Sequence, residues 1–253
     1  MKLLEVDNLT MMFGGLKAVN DVNLNISQGE IVSLIGPNGA GKTTFFNMLT
    51  GIYKPTSGTI QFENKKIDGI PPQKIIESGI ARTFQNIRLF SHMTVLENVL
   101  LGMHSCSTNN LLHSLLRTKK FYQEEKENTA KAKELLATVN LLKKSSDYAK
   151  NLSYGQQRKL EIIRALASQP KLILLDEPAA GMNPQETEDL MRYISGLKDL
   201  GITVLLIEHD MKLVMKISDR IYVLDHGTKI AEGEPSVIKN NQAVIEAYLG
   251  KGA

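Results

Sequence analysis

The chain has 253 residues, 42% of them hydrophobic and 23% charged, enough for one large α/β unit and unlike a disordered, collagenous or coiled-coil protein. Its net charge of +3 is too small to argue for nucleic acid, though it suits an acidic ligand or a nearby anionic surface. The single cysteine, Cys106, excludes an intrachain disulfide and an all-cysteine zinc site and fits a reducing compartment.

Glu5 comes too early for a secretory signal, and no run approaches the roughly 18 apolar residues of a membrane span, so the chain is not expected to cross a bilayer. Short strands are predicted at residues 3–6 and at 22–26, where Val22, Leu24 and Ile26 alternate with asparagines before a Gln28-Gly29 turn. Residues 31–35 form a continuous apolar strand entering a glycine-rich loop. Phe45, Phe46, Met48 and Leu49 then mark a helix that runs to Gly51, and residues 59–62 return to strand. From about 87 to 164 the propensities are helical, with loops at 105–110 and 143–150, which predicts an inserted helical lobe. The mixed charges of 119–133 read as a solvated helix face. Residues 172–175 and 203–207 are buried strands between helices, as in a mixed or parallel sheet. Strands at 223–224 and 228–230 and a short helix near 237–249 close the chain.

Gly36-Pro37-Asn38-Gly39-Ala40-Gly41-Lys42-Thr43-Thr44 follows a buried strand and opens a helix, the context in which this spacing cradles phosphates. Glycines let consecutive N–H groups curl round the anion, and the helix N-terminus adds its dipole. Lys42 is placed to reach the β- and γ-phosphates and Thr43 to ligate Mg²⁺. Asp176 and Glu177 end the apolar run from Leu172, at the strand edge where open α/β sheets bind ligands. Asp176 would hold Mg²⁺, and Glu177 would polarise water for attack on the γ-phosphate. His209 follows the next apolar strand and would contact the γ-phosphate or fix that water. Gln85, after Ala81-Arg82-Thr83-Phe84, would reach Mg²⁺ or water from the junction with the helical lobe.

Asn151-Leu152-Ser153-Tyr154-Gly155-Gln156-Gln157-Arg158 opens a further helix, and a serine hydroxyl with a glycine N–H at a helix N-terminus is a second phosphate-binding device. With it the chain resembles, over essentially its whole length, the nucleotide-binding subunits of ATP-binding-cassette transporters. That resemblance implies a P-loop α/β fold: a RecA-like core at 1–87 and 165–235 with an antiparallel β subdomain, a helical subdomain at 88–164 and a helical tail at 236–253. It implies that Ser153, Gly155 and Gln156 close over ATP held by a facing subunit, that Phe13 stacks on adenine and that Val19 lies beside the nucleotide. It also implies that residues 179–183 carry dimer contacts. Tyr154 stands where the signature usually has glycine, and Asn183 where aspartate is common.

Residues 13–19, 81–85, 152–158, 177–184 and 245–250 resemble most the larger ATPase subunit of prokaryotic branched-chain amino acid importers, as does the long segment 103–127. Such a subunit implies ATP and Mg²⁺ as cofactors, a second and different ATPase, two transmembrane permeases, an extracytoplasmic binding protein and a peripheral place on the cytoplasmic face of the membrane. Residues 85–99 would meet the permease. Systems for urea, short amides or lipopolysaccharide share much of the pattern. A soluble cassette acting on DNA or ribosomes would need basic patches with interleaved aromatics, which are missing here.

Overall fold

A computed structural model describes residues 1–103 and 119–249. The first two strands, β1 (Lys2–Phe13) and β2 (Leu16–Ser27), form a long antiparallel hairpin turning at Gly14, whose φ is +58°. Both are longer than their apolar alternation predicts, because register shifts along the pair carry the ladder through polar residues. β3 (Ile31–Ile35) leads into the glycine loop and α1 (Lys42–Leu49). β4 (Ser57–Phe62) and the two-residue β5 (Lys65–Lys66) complete a sheet of order β2-β1-β4-β5. The sequence reading omits α2 (Pro72–Glu77) and β6 (Ile80–Arg82). Both are too short to show a period.

The helical segment begins later than its propensities suggest. Residues 84–94 form no regular helix before α3 (Val95–Met103). The fully buried Asn98 side chain holds this stretch, accepting from Phe90 N and donating to the Phe90 and Thr94 carbonyls. Thr94 and Glu97 cap the helix reciprocally. α4 (Lys119–Thr138) and α5 (Tyr154–Leu166) follow. Cys106 and the loop expected at 105–110 lie outside the described residues. So do residues 104–118 of the segment 103–127 that would lengthen the lobe.

β7 (Leu172–Asp176), α6 (Pro184–Gly196), β8 (Thr203–Ile207), α7 (Met211–Ile217), β9 (Arg220–Asp225) and β10 (Thr228–Gly233) complete the second sheet, of order β10-β9-β3-β8-β7-β6. It is parallel except for β10. One closing helix is predicted, but two form, α8 (Pro235–Lys239) and α9 (Gln242–Leu249). Asn240 leaves helical geometry, and the Asn241 side chain accepts from Val244 N to start the second helix.

All residues of β3, β7 and β8 are buried, and alternate side chains supply opposite cores. Val32, Leu34, Leu172, Leu174, Leu205 and Ile207 pack toward α1 and the antiparallel sheet. Ile31, Ile173, Leu175, Val204 and Leu206 pack toward α3, α5 and α6. Ile35, just before the glycine loop, joins a smaller core with Val214, Ile238 and Val244. No helix among the described residues is long and apolar enough to cross a membrane.

At the α3–α5 crossing, a β-carbon on Gly102 would meet the Arg164 carbonyl and lie 3.1 Å from Ala167 Cβ. Gly102→Ala, which improves helix propensity, is nevertheless expected to lower stability by about 2 kcal/mol through overpacking. A fall in the urea midpoint at unchanged slope checks this.

Candidate functional site: a phosphate loop facing a glutamate–histidine–glutamine junction

Two glycines of the loop after β3 cannot be replaced without moving backbone. Gly36 has φ +151° and Gly41 φ +99°, and a β-carbon there would run into the Leu224 and Ala18 carbonyl oxygens respectively. Gly227 N donates to Ala40 O at 3.1 Å, tying the loop to the β9–β10 turn. Lys42 is 7% exposed. Its Nζ donates to Gly36 O at 2.6 Å and Pro37 O at 2.9 Å. Burial lowers its pKa, opposed by the negative charges of Glu177 and Asp176.

Glu177 leaves the end of β7 at φ +47°, left-handed backbone unusual for a residue with a side chain. Its N–H donates to Ile207 O at 2.9 Å. Its carboxylate accepts from Gln85 Nε2 at 2.9 Å on one oxygen and from His209 Nε2 on the other. Gln85, Glu177 and His209 thus form one hydrogen-bonded junction. Together with residues 38–44 they line a cavity of about 600 Å³.

The buried Asp176 lies beside this junction and accepts from Arg82 NH2 at 2.8 Å. The other arm of Arg82 donates to Asn47 Oδ1 and Thr50 Oγ1 in and after α1, and the guanidinium stacks against Phe46 and Phe84. Glu208 is buried under the next loop. It accepts from Ala179 N at 2.9 Å and His209 N at 3.2 Å, and burial raises its pKa.

Other expected site residues lie away from the cavity. Phe13 is half-exposed and meets Tyr53 edge-on at 5.3 Å between centroids. Val19 is fully buried behind Gly41. Gly36 and Pro37 offer their carbonyls to Lys42. Ser153, Gly155 and Gln156 occupy the N-terminus of α5, where Ser153 and Gln156 form a capping box and Gly155 packs against the Glu186 carboxylate. The Tyr154 ring rests on Gly181, 3.2 Å from where its β-carbon would be. Leu16, Lys17, Ala18, His226 and Gly227, none of them expected at the site from sequence, also line the cavity. Lys17 and Ala18 stand in the stretch 13–19 that carried the resemblance. His226 and Gly227 left no signal beyond a hairpin turn.

The family described as ABC transporter matches residues 19–180, and one described as branched-chain amino acid ATP-binding cassette transporter matches residues 228–253. The chain belongs to the ABC transporter family. Across 250 residues it is 52% identical to the high-affinity branched-chain amino acid transport ATP-binding protein LivG of Escherichia coli K12, covering 98% of both chains. It is 51% identical to BraF of Pseudomonas aeruginosa, described in the same words, again with 98% of both covered. A crystal structure of an ABC-transporter cassette in its ADP conformation superposes with a TM-score of 0.86 at 38% identity, covering 99% of this chain and all of that one.

The donors of this cassette suit Mg²⁺, a hard cation that prefers oxygen. Thr43 and Gln85, whose side chains carry a hydroxyl and an amide, line the same cavity, and Asp176 has its carboxylate beside it.

Because burial raises the Glu208 pKa above the ordinary 4.5, the folded state binds its proton more tightly than the unfolded state. That stabilisation is complete below the unfolded value and is lost as pH rises through the folded one. Relative to Glu208→Gln, which keeps an acceptor oxygen, the wild-type melting temperature is therefore expected to fall as pH climbs from about 4.5. A difference that stays flat or grows across a pH series of melts contradicts this.

Proposed function

We propose that this chain is the ATP-hydrolysing subunit of an ABC importer for branched-chain amino acids. The observation that carries the reading is the Gln85–Glu177–His209 junction facing the phosphate loop across one cavity. ATP lies with its phosphates in the amides of residues 38–44 and its γ-phosphate against the junction. Glu177 and His209 orient a water in line with the γ-phosphorus. The water oxygen bonds to phosphorus while the bond to the β-bridging oxygen breaks, its electron pair staying with ADP, and the water's proton passes by way of Glu177 to a phosphate oxygen. Lys42 exchanges its bonds to Gly36 and Pro37 for phosphate oxygens. Mg²⁺ held by Thr43, Gln85 and Asp176 would neutralise charge on the β- and γ-oxygens. Phe13 and Val19 flank the adenine end.

Ser153, Gly155 and Gln156 lie outside the cavity of their own chain, so phosphate binding by them requires a facing cassette. The reading therefore includes a second, different ATPase and two ATPs between the pair. It also includes two permeases, a binding protein outside the membrane and no nucleic acid, with the chain held peripherally at the cytoplasmic face. A groove of about 400 Å³ between the core and the helical segment, lined by Arg88, Phe84, Phe90, Leu101 and Arg164 among others, supports a permease contact there.

Glu177→Gln is expected to cut phosphate release by the assembled transporter at least about a hundredfold while leaving ATP binding intact. Undiminished release removes Glu177 from the chemistry. Lys42→Ala is expected to weaken ATP binding about tenfold or more, as titration with a fluorescent nucleotide would show.

A further inference from the structure

Arg82 stands in the edge strand β6 opposite Leu174 of β7, and in this parallel register the two side chains leave the sheet on the same face, toward α1. Asp176 comes two residues after Leu174 and shares that face. The guanidinium and the carboxylate are 7% and 5% exposed and meet at 2.8 Å. A dry ion pair is a poor source of stability, because its desolvation cost rivals its attraction. This one carries a further cost, since Arg82 Nε is buried and finds no acceptor among the described residues. What the guanidinium gains is a fixed plane. NH1 donates to Asn47 Oδ1 at 2.7 Å and to Thr50 Oγ1 at 3.2 Å, and the rings of Phe46 and Phe84 lie 5.4 and 5.2 Å from its centre. Thr50 is anchored in turn, its Oγ1 donating to Phe46 O at 2.9 Å.

So constrained, Arg82 acts on one atom of Asp176. NH2 donates to Oδ2, and among the described residues this is the only hydrogen bond to the Asp176 side chain. One carboxylate oxygen is taken by an immobile cation, and the other is open. That difference matters to a divalent ion. Ca²⁺ gathers about six to eight oxygens in a flexible shell and readily takes both oxygens of one carboxylate, whereas Mg²⁺ demands a near-ideal octahedron and keeps several of its waters.

We propose that Arg82 makes this cassette select Mg²⁺ over Ca²⁺ at the nucleotide: by holding Oδ2 it leaves Asp176 a single oxygen for the cation and bars the two-oxygen grip open to Ca²⁺. This rests on the reading of the cavity as a Mg²⁺–ATP site. Arg82 touches neither nucleotide nor metal in this arrangement and is a positioning residue. Its second arm sets the carboxylate against α1, the helix whose first turn carries Lys42 and Thr43.

The test compares the full-length chain with Arg82→Met, which keeps an unbranched apolar filling between Phe46 and Phe84 but donates nothing, and with Arg82→Lys, which keeps the charge and loses the planar fork. Affinity for a fluorescent, non-hydrolysable ATP analogue is titrated in Mg²⁺, in Ca²⁺ and in excess chelator. In the parent the dissociation constant is expected to be clearly higher in Ca²⁺ than in Mg²⁺. In Arg82→Met the ratio of the two is expected to fall about fivefold or more, with the chelator value within about threefold of the parent. Arg82→Lys is expected to lie between, and it carries the test alone if Arg82→Met does not fold. A purely structural Arg82 would move all three constants in parallel. A parallel change, or an unchanged ratio, in the folded variants overturns selection by Arg82 alone. A parent that binds the analogue equally with and without divalent ions overturns the Mg²⁺ site and this proposal with it, and a parent that does not bind it at all overturns the ATP reading.

Discussion

The parallel register of β3, β8 and β7 is the constraint on which the rest depends. Leu34 pairs with Ile207, and Ile207 with Asp176, so the three strands end at one level. Their next residues are the start of the glycine loop, Glu208-His209 and Glu177. Nothing else is needed to bring the phosphate cradle, the carboxylates and the histidine side by side. The alternating burial of the same strands in two cores makes that register costly to slip, because a shift of one residue would exchange the faces. Precision at the cavity is thus inherited from sheet packing far below it.

Buried charge follows the same geography. The buried charged residues among the described ones are Lys42, Arg158, Glu161, Asp176 and Glu208, and the side chain of Arg82 is nearly as enclosed. Lys42 lines the cavity, Asp176 and its partner Arg82 lie beside it, and Arg158, Glu161 and Glu208 hold loops that form its wall. Charged groups out of water are expensive unless paired and hydrogen-bonded. Here the partners are largely backbone groups of the very loops that must be held: Gly36 and Pro37 for Lys42, Ala179 and His209 for Glu208, and residues 84, 85 and 88 for Arg158 and Glu161. The polar interior is a scaffold for irregular backbone that no ladder could fix.

What could be read from the chain alone was local. The glycine loop announces itself because strand, spacing, lysine and threonine fall within a few residues. Asp176 and Glu177 do so because an apolar run ends in two carboxylates. Arg82 was visible only as a letter before Gln85, since its partners Asp176 and Asn47 are 94 and 35 residues away. Arg158 reads as an ordinary polar helix residue, and its complete burial depends on a loop that has no period of its own. The helical expectation from about 87 to 94 failed for the same reason. A single buried Asn98 side chain outweighs the propensities there.

The place of β3 in its sheet also sets when the protein can fold. This strand and the glycine loop leave the ribosome well before their partners, since both neighbours of β3 come from residues 203–225. The core behind Ile35 waits still longer, for Ile238 and Val244. Until those residues have emerged, a largely apolar strand has both edges unpaired and one side chain without its core. Pairings this distant in sequence close slowly and leave sticky edges exposed meanwhile. The nucleotide cradle is therefore completed only once residues 203–244 have emerged, and in that interval its apolar strand is open to mispairing.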